Sequence, residues 1–296
     1  MMKRFTKAIR LFGFALPVAV LVGCSPRTAS PGTKTAKLVY PNWAEGVAYT
    51  HLAKAVLEDK MGYTVELTAA DVALGYTAVA QGSHDAFMEC WPSLQVDYLQ
   101  RYGDRLVTLG TVYEGAQVGL AVPAYVTIDR LSQLDDYAPR FGNHITGIDA
   151  GAGIMKKIED ELIPRYGLTH ITLMASSGPA MTAALADAIA KKKWIVVIAW
   201  KPHWMFGRWN LKFLKQDEDK KIWESSSDIE IIGRVDLQKD KPELARFLQN
   251  YHFTDAQLAD LMVKVHDADD DIMTVVRRWM DRHEDLVDSW IPATDS

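Results

Sequence analysis

Short apolar runs of β character alternate with stretches of helical spacing along most of the chain, the pattern of an α/β protein with mainly parallel sheets. The spacing predicts strands over 37–40, 63–67 and 86–90, with helices over 45–60, 74–81 and 94–102 between and after them. In the first helix Val47, Leu52, Ala55 and Val56 share one face, and Gly62 marks its stop. An apolar stretch over 116–122 ends at Pro123, which places a crossing between two lobes there. Beyond it the pattern predicts strands over 145–148, 171–174 and 194–200, helices over 154–166 and 179–191, and a strand over 229–235 that returns the chain to the first lobe. The segments 242–251, 254–267 and 271–290 read as a helical C-terminal part. The charged stretch 215–228 is a surface excursion, and the acidic run 267–271 lacks the glycine and terminal glutamate of a calcium loop and reads as a helix start.

The N-terminus breaks this pattern. Residues 1–10 are basic and 11–22 are almost wholly apolar, too short a run to span a bilayer and laid out as a secretory signal. Its end, Leu21-Val22-Gly23-Cys24, resembles a bacterial lipobox, which implies cleavage after residue 23 and a lipid attached to Cys24. The small, polar, Pro-containing residues that follow make 24–35 a tether between lipid and folded body. Of the 33 basic residues, four lie in the first 23; the remaining 29 face 38 acidic ones, so the chain after the signal carries −9. Such a charge argues against nucleic acid as the partner. With Cys24 acylated, Cys90 has no disulfide partner, and with no protease signature around it a small buried thiol is expected. Hydrophobic residues at 48% and charged residues at 24% exclude both a disordered chain and a multispanning membrane protein.

Motifs for catalysis are missing: there is no Gly-x-Ser-x-Gly elbow, phosphate loop, dinucleotide fingerprint or His-Glu-x-x-His helix, and the eight His are scattered. The chain is therefore expected not to be an enzyme and to carry no cofactor and no metal. Nine Trp are out of proportion, and three of them stand at the ends of predicted strands: Tyr40-Pro41-Asn42-Trp43, Glu89-Cys90-Trp91-Pro92 and Ala199-Trp200-Lys201-Pro202-His203-Trp204. The carboxyl ends of strands in an α/β sheet are where ligands bind, so Trp43, Trp91 and Trp200 are ligand contacts, whereas Trp194, Trp279 and Trp290 suit core packing. A fourth segment, Gly147-Ile148-Asp149-Ala150-Gly151-Ala152-Gly153-Ile154-Met155, turns through glycines into a helix. It suits a carboxylate cradle at a helix N-terminus, or a tight turn that needs glycine alone. Indole faces hold cations that cannot donate hydrogen bonds, above all quaternary ammonium. A zwitterion with both groups, of which glycine betaine is the simplest, fits a site made of both elements.

These residues resemble the glycine betaine/proline betaine substrate-binding lipoproteins of osmoprotectant ABC importers, over essentially 37–290. The likeness is most specific at 147–155, at Ala199-Trp200-Lys201-Pro202-His203-Trp204-Met205-Phe206, at Leu57-Glu58-Asp59-Lys60 and at Ser176-Ser177-Gly178-Pro179-Ala180-Met181-Thr182. It implies a two-lobe periplasmic-binding-protein fold of type II, hinged, with ligand in the interlobe cleft: lobe 1 from 36–122 and 229–296, lobe 2 from 123–228. It implies an aromatic box of Trp43, Trp91 and Trp200 around the ammonium group and the amides of Gly153 and Ile154 on the carboxylate. The implied partners are a methylated zwitterion, an ABC permease and its ATPase, with the chain anchored on the extracytoplasmic side of an envelope membrane. Some members carry a His after the second box Trp; here Trp91-Pro92-Ser93-Leu94-Gln95-Val96 is one residue shorter and has none, leaving Gln95 or Ser93 as a neutral donor. His203 is expected to pack behind the site. A binding protein for choline or carnitine, or a sensory lipoprotein using the same cleft, are the alternatives.

Overall fold

A computed structural model describes residues 34–224 and 226–293; the signal, Cys24 and nearly all of the tether lie outside them. Strand β1 (Lys34–Tyr40) leads to α1 (Ala44–Asp59), β2 (Tyr63–Ala69), α2 (Val72–Ala80), β3 (Ala86–Cys90) and α3 (Val96–Tyr102). β1 lies between β2 and β3 and runs parallel to both, as expected of strands joined by helices. Ala48, Tyr49, Leu52, Ala53 and Val56 form the buried face of α1, at the spacing that puts side chains over one another on successive turns. Asp71 caps α2, its carboxylate accepting from the Leu74 amide at 2.8 Å.

The chain then runs through β4 (Leu106–Pro123), an 18-residue strand, to β5 (His144–Thr146) and α4 (Gly153–Lys157). One π-helical turn, Ile158–Leu162, joins α4 to α5 (Ile163–Tyr166). After these come β6 (Thr172–Met174), α6 (Gly178–Ala190), β7 (Val197–Lys201), α7 (Met205–Arg208) and β8 (Leu211–Phe213). β9 (Ser227–Arg234), α8 (Leu237–Asp240), α9 (Pro242–Asn250), α10 (Asp255–Asp267), α11 (Ile272–Arg282) and α12 (Glu284–Trp290) complete the order.

The strands form one curled array in the order β2-β1-β3-β9-β4-β7-β5-β6, with β8 beside β4. β4 changes partners part-way along: through Ala116 it pairs with β9, and from Gln117 with β7, its end pairing with β8. The array is therefore two half-sheets sharing one strand. It is less parallel than the sequence pattern predicts, because β9 is antiparallel to both β3 and β4, and β7 and β8 are antiparallel to β4. A strand that brings the chain back from the second half runs opposite to the one that carried it out. The C-terminal helices pack on the first half. Tyr251, Phe253, Trp279 and Trp290 meet there, the Tyr251 and Trp290 ring centroids 4.6 Å apart and edge-on, the arrangement ring quadrupoles favour. Asp271 caps α11, so the acidic run is the helix start its composition predicts. Among the described residues no helix is long and apolar enough to cross a membrane.

Candidate functional site

Trp43, Trp91 and Trp200 stand 48 and 109 residues apart in sequence, yet they line one cavity together with Val118, Ile148, Gly153 and Ile154. Each indole is 6% exposed or less. Trp43 is the residue before the first turn of α1, and its Nε1 donates to Asp149 Oδ2 at 2.9 Å, tying the end of β1 to the loop after β5. Trp91 follows β3 directly, and its Nε1 donates to Glu89 Oε1 at 2.9 Å. Trp200 sits on β7; its ring centroid is 6.0 Å from that of Trp43, with 51° between the planes. The half-sheet of β1–β3 thus supplies two indoles and the other half the third. Trp194, Trp279 and Trp290 are elsewhere: the last two are buried in the first half, and Trp194 lies under the Arg140 guanidinium at 3.6 Å.

Gly153 and Ile154 open α4, so their amides belong to the first turn, which a helix leaves without internal acceptors. The glycine at 153 answers a packing demand. A Cβ there would stand 1.9 Å from the carbonyl oxygen of Leu94, in the loop after Trp91. Neither Gly151 nor Gly153 has a left-handed φ, so of the two sequence-based roles the tight turn needing positive φ is not the reason for either. Gly151 has no atom closer than 3.8 Å to such a Cβ, and its carbonyl accepts from the Tyr98 hydroxyl at 3.2 Å.

Gln95 reaches the cavity wall, but its polar atoms are engaged: Oε1 accepts from the Tyr76 hydroxyl at 2.8 Å and Nε2 donates to the Glu89 carbonyl at 3.3 Å. Ser93 turns to Ser227, its hydroxyl donating at 2.9 Å. His203 packs its ring against Trp200, centroids 4.8 Å apart, and accepts from the Met205 amide at 3.1 Å. Burial, with His266 nearby, pushes its imidazole down to about 3, so it is a neutral packing partner. Cys90 Sγ lies 3.0 Å from the Tyr76 hydroxyl, whose proton it shares with Gln95, and burial pushes its thiol up to about 12, which removes it as a nucleophile.

Three acidic residues of the site were not singled out by sequence reasoning: Asp149, Glu89 and Glu45. Glu45 and Glu89 are both fully buried behind the indoles. The signal that could have found Glu89 is a carboxylate inside the otherwise apolar run Ala86–Cys90. Among the described residues no group of three or more His, Cys, Asp or Glu is placed to hold a metal ion.

Residues 34–282 match the family model described as the substrate-binding domain of an ABC-type glycine betaine transport system. The chain is 36% identical over 157 residues to the glycine betaine/carnitine transport binding protein GbuC of Listeria monocytogenes; the match covers 52% of this chain and spans about half, 51%, of that relative. Among solved structures it resembles lactococcal OpuAC in its closed, liganded form with glycine betaine, at 32% identity and a TM-score of 0.81, covering 88% of this chain and all of that one. It also resembles the glycine/betaine/L-proline-binding protein ProX of Borrelia burgdorferi, at 31% identity and a TM-score of 0.82, covering 88% of this chain and 97% of that one.

Proposed function

The chain belongs to the family of substrate-binding domains of ABC-type glycine betaine transport systems, and from that premise we propose that it captures glycine betaine or a closely related quaternary-ammonium zwitterion for import. The observation that carries the reading is the convergence of three indoles, from two half-sheets, on one cavity that also contains the first amides of α4. A permanently charged methylated nitrogen gains cation–π attraction from each ring, about 0.5–2 kcal/mol per desolvated contact. Its carboxylate faces the amides of Gly153 and Ile154 at the positive end of a helix. Lobe 1 comprises residues 36–122 and 229–296, and lobe 2 residues 123–228; the change of partners within β4 supports a crossing on that strand. Both lobes contribute to the box, so ligand favours the closed state, which alone assembles all the contacts. With neither Gln95 nor Ser93 free, the carboxylate is held by backbone amides without a side-chain cation, and affinity leans on the ammonium end.

The chain acts as a carrier and not as an enzyme, handing its ligand to a permease driven by an ATPase. The lipobox-like end of the apolar leader supports a lipid on Cys24, which would hold the domain on the extracytoplasmic side of a membrane by its tether. Calorimetric titration of the purified protein with glycine betaine tests the reading, with choline and carnitine as competitors. Saturable binding is expected, weakened at least about tenfold by Trp91→Ala or Trp200→Ala, the loss of one strong cation–π contact. Trp279→Ala, far from the cavity, should leave the affinity of the folded protein unchanged. Equal affinities for the wild type and both box variants would refute the site, and tighter binding of choline would refute the carboxylate cradle.

A further inference from the structure

Behind the indoles the fold buries two carboxyl groups with no cation. Glu45 lies on the first turn of α1 and Glu89 on β3, and both are 0% exposed. Among the described residues neither makes an ion pair. Glu89 accepts from Trp91 Nε1 on one oxygen, at 2.9 Å; its other oxygen is in short contact with the Tyr49 hydroxyl, which also donates to the Met88 carbonyl at 2.7 Å. The carboxyl is pressed against the start of α1, where a Cβ on Gly46 would come within 2.6 Å of it. Among the described residues no hydrogen bond of ordinary length reaches either oxygen of Glu45 or the buried Nε1 of Trp200, the indole N–H that faces this carboxyl and works against its rise.

Two adjacent carboxyls taken out of water cannot both be ionised without a counter-ion. Glu89, with the Trp91 N–H as a donor of its own and a share of the Tyr49 hydroxyl, is the better place for a negative charge, and Glu45, with no hydrogen bond of ordinary length, is the better place for the proton. Resting on the functional reading above, we propose that Glu45 and Glu89 hold one proton and one negative charge between them beneath the aromatic box. In this arrangement the charge on Glu89 makes the site select a cationic group over a neutral one of the same shape. The Trp91 N–H···carboxylate bond also sends electron density into the ring whose face meets the ligand. Burial agrees with this division: it raises Glu45 well above the carboxylate range, with the Glu89 charge adding to the effect. It pushes Glu89 only up to about 7, held down by its bonds from Tyr49 and Trp91.

A cation in the cavity favours the ionised pair, so binding is linked to loss of a proton. Below pH 7 the pair is neutral and binding is weak; affinity rises through pH 7 and levels off above it. The titratable groups around the pair do not share this window. The Tyr49 and Tyr251 hydroxyls are raised by burial, Cys90 is raised to about 12, and His203 behind Trp200 is lowered to about 3. Glu230 on β9, raised by burial, and Asp149, bonded to Trp43, are the other acids nearby, and both are retained in the variants that test the pair.

The test is calorimetric titration of the purified protein between pH 5.5 and 8 with two probes: glycine betaine, and 3,3-dimethylbutanoate, in which a neutral tert-butyl group replaces the ammonium. For the wild type, glycine betaine affinity is expected to rise about tenfold over this range, the order of magnitude for a unit charge acting through a partly screened protein interior. Glu45→Gln/Glu89→Gln together should remove the pH dependence and cost about tenfold at pH 8, leaving 3,3-dimethylbutanoate no weaker. A wild-type profile that is flat in pH overturns the inference even if the double variant fails to fold, and so does a folded double variant that binds glycine betaine as tightly as the wild type. Absence of glycine betaine binding at every pH would instead remove the functional reading on which it rests.

Discussion

Gly153 shows how a single missing atom shapes the cavity. The Leu94 carbonyl occupies the space a side chain would need, at 1.9 Å from an ideal Cβ, so the loop after Trp91 lies directly on the start of α4. Gly153→Ala must push that loop away or hold the halves apart. Overpacking of this kind costs about 1–3 kcal/mol. Since strain of that size opposes only the arrangement in which the two halves meet, glycine betaine affinity should fall about tenfold or more. Titration of the variant checks this, and an affinity within twofold of the wild type would show that the contact does not matter. The tryptophans were legible in the sequence because each stands at or just past the carboxyl end of a strand, where a core indole has no reason to recur. Glu45 and Glu89 were not, because their proximity joins a helix start to a strand 44 residues later, and a lone glutamate in a five-residue run reads as a solvent-facing position.

At the scale of elements, most helices are visible as a 3.6-residue period, and the predicted bounds fall within a few residues of those observed. The first half of β4 is not visible. Thr108, Gly110, Thr111, Glu114 and Gly115 interrupt its apolar pattern, and its partner β9 lies more than a hundred residues away with three register shifts along the pairing. The final predicted helix is two, α11 and α12, broken at His283, where the backbone leaves helical geometry. The turn between β7 and α7 carries a pH consequence of its own. His203, driven to about 3 by burial, stays neutral in the fold while the unfolded chain takes up its proton near 6.5. The unfolded state binds more protons between those values, so stability falls as pH drops from 6.5 toward 3. Glu89 acts in the opposite sense: its raised value stabilises the fold below about 4.5, and that contribution is lost as pH rises toward 7. Comparing the wild type with His203→Asn cancels the Glu89 contribution. Urea denaturation should show the wild type losing about 2–3 kcal/mol more than the variant between pH 6.5 and 4; equal losses would mean that His203 takes up a proton in the folded state.

Across the whole molecule, the two half-sheets meet through contacts of different kinds. Trp43 donates to Asp149, Tyr98 to the Gly151 carbonyl, and the Trp204 ring stacks on His266 with centroids 3.5 Å apart. The ion pairs that also span the gap, Lys156–Asp97 and Arg208–Asp267, are exposed on both sides. Exposed pairs contribute about 0–1 kcal/mol and are screened further by salt, whereas buried charges are screened much less. Glycine betaine affinity should therefore change by no more than about threefold between 0.05 and 0.5 M salt. Titrations at the two ionic strengths check this, and a tenfold loss would mean that the surface pairs hold the halves together.

The seclusion of Cys90 reaches beyond its chemistry. Its sulfur lies fully covered on β3, hydrogen-bonded by a hydroxyl from α2, one residue before the second indole of the box. A thiol reagent meets it only when α2 lifts from the strand. The rate at which this sulfur is tagged thus serves as an internal clock for breathing of the first half-sheet, and a bound guest that quiets the site should make the clock run slower.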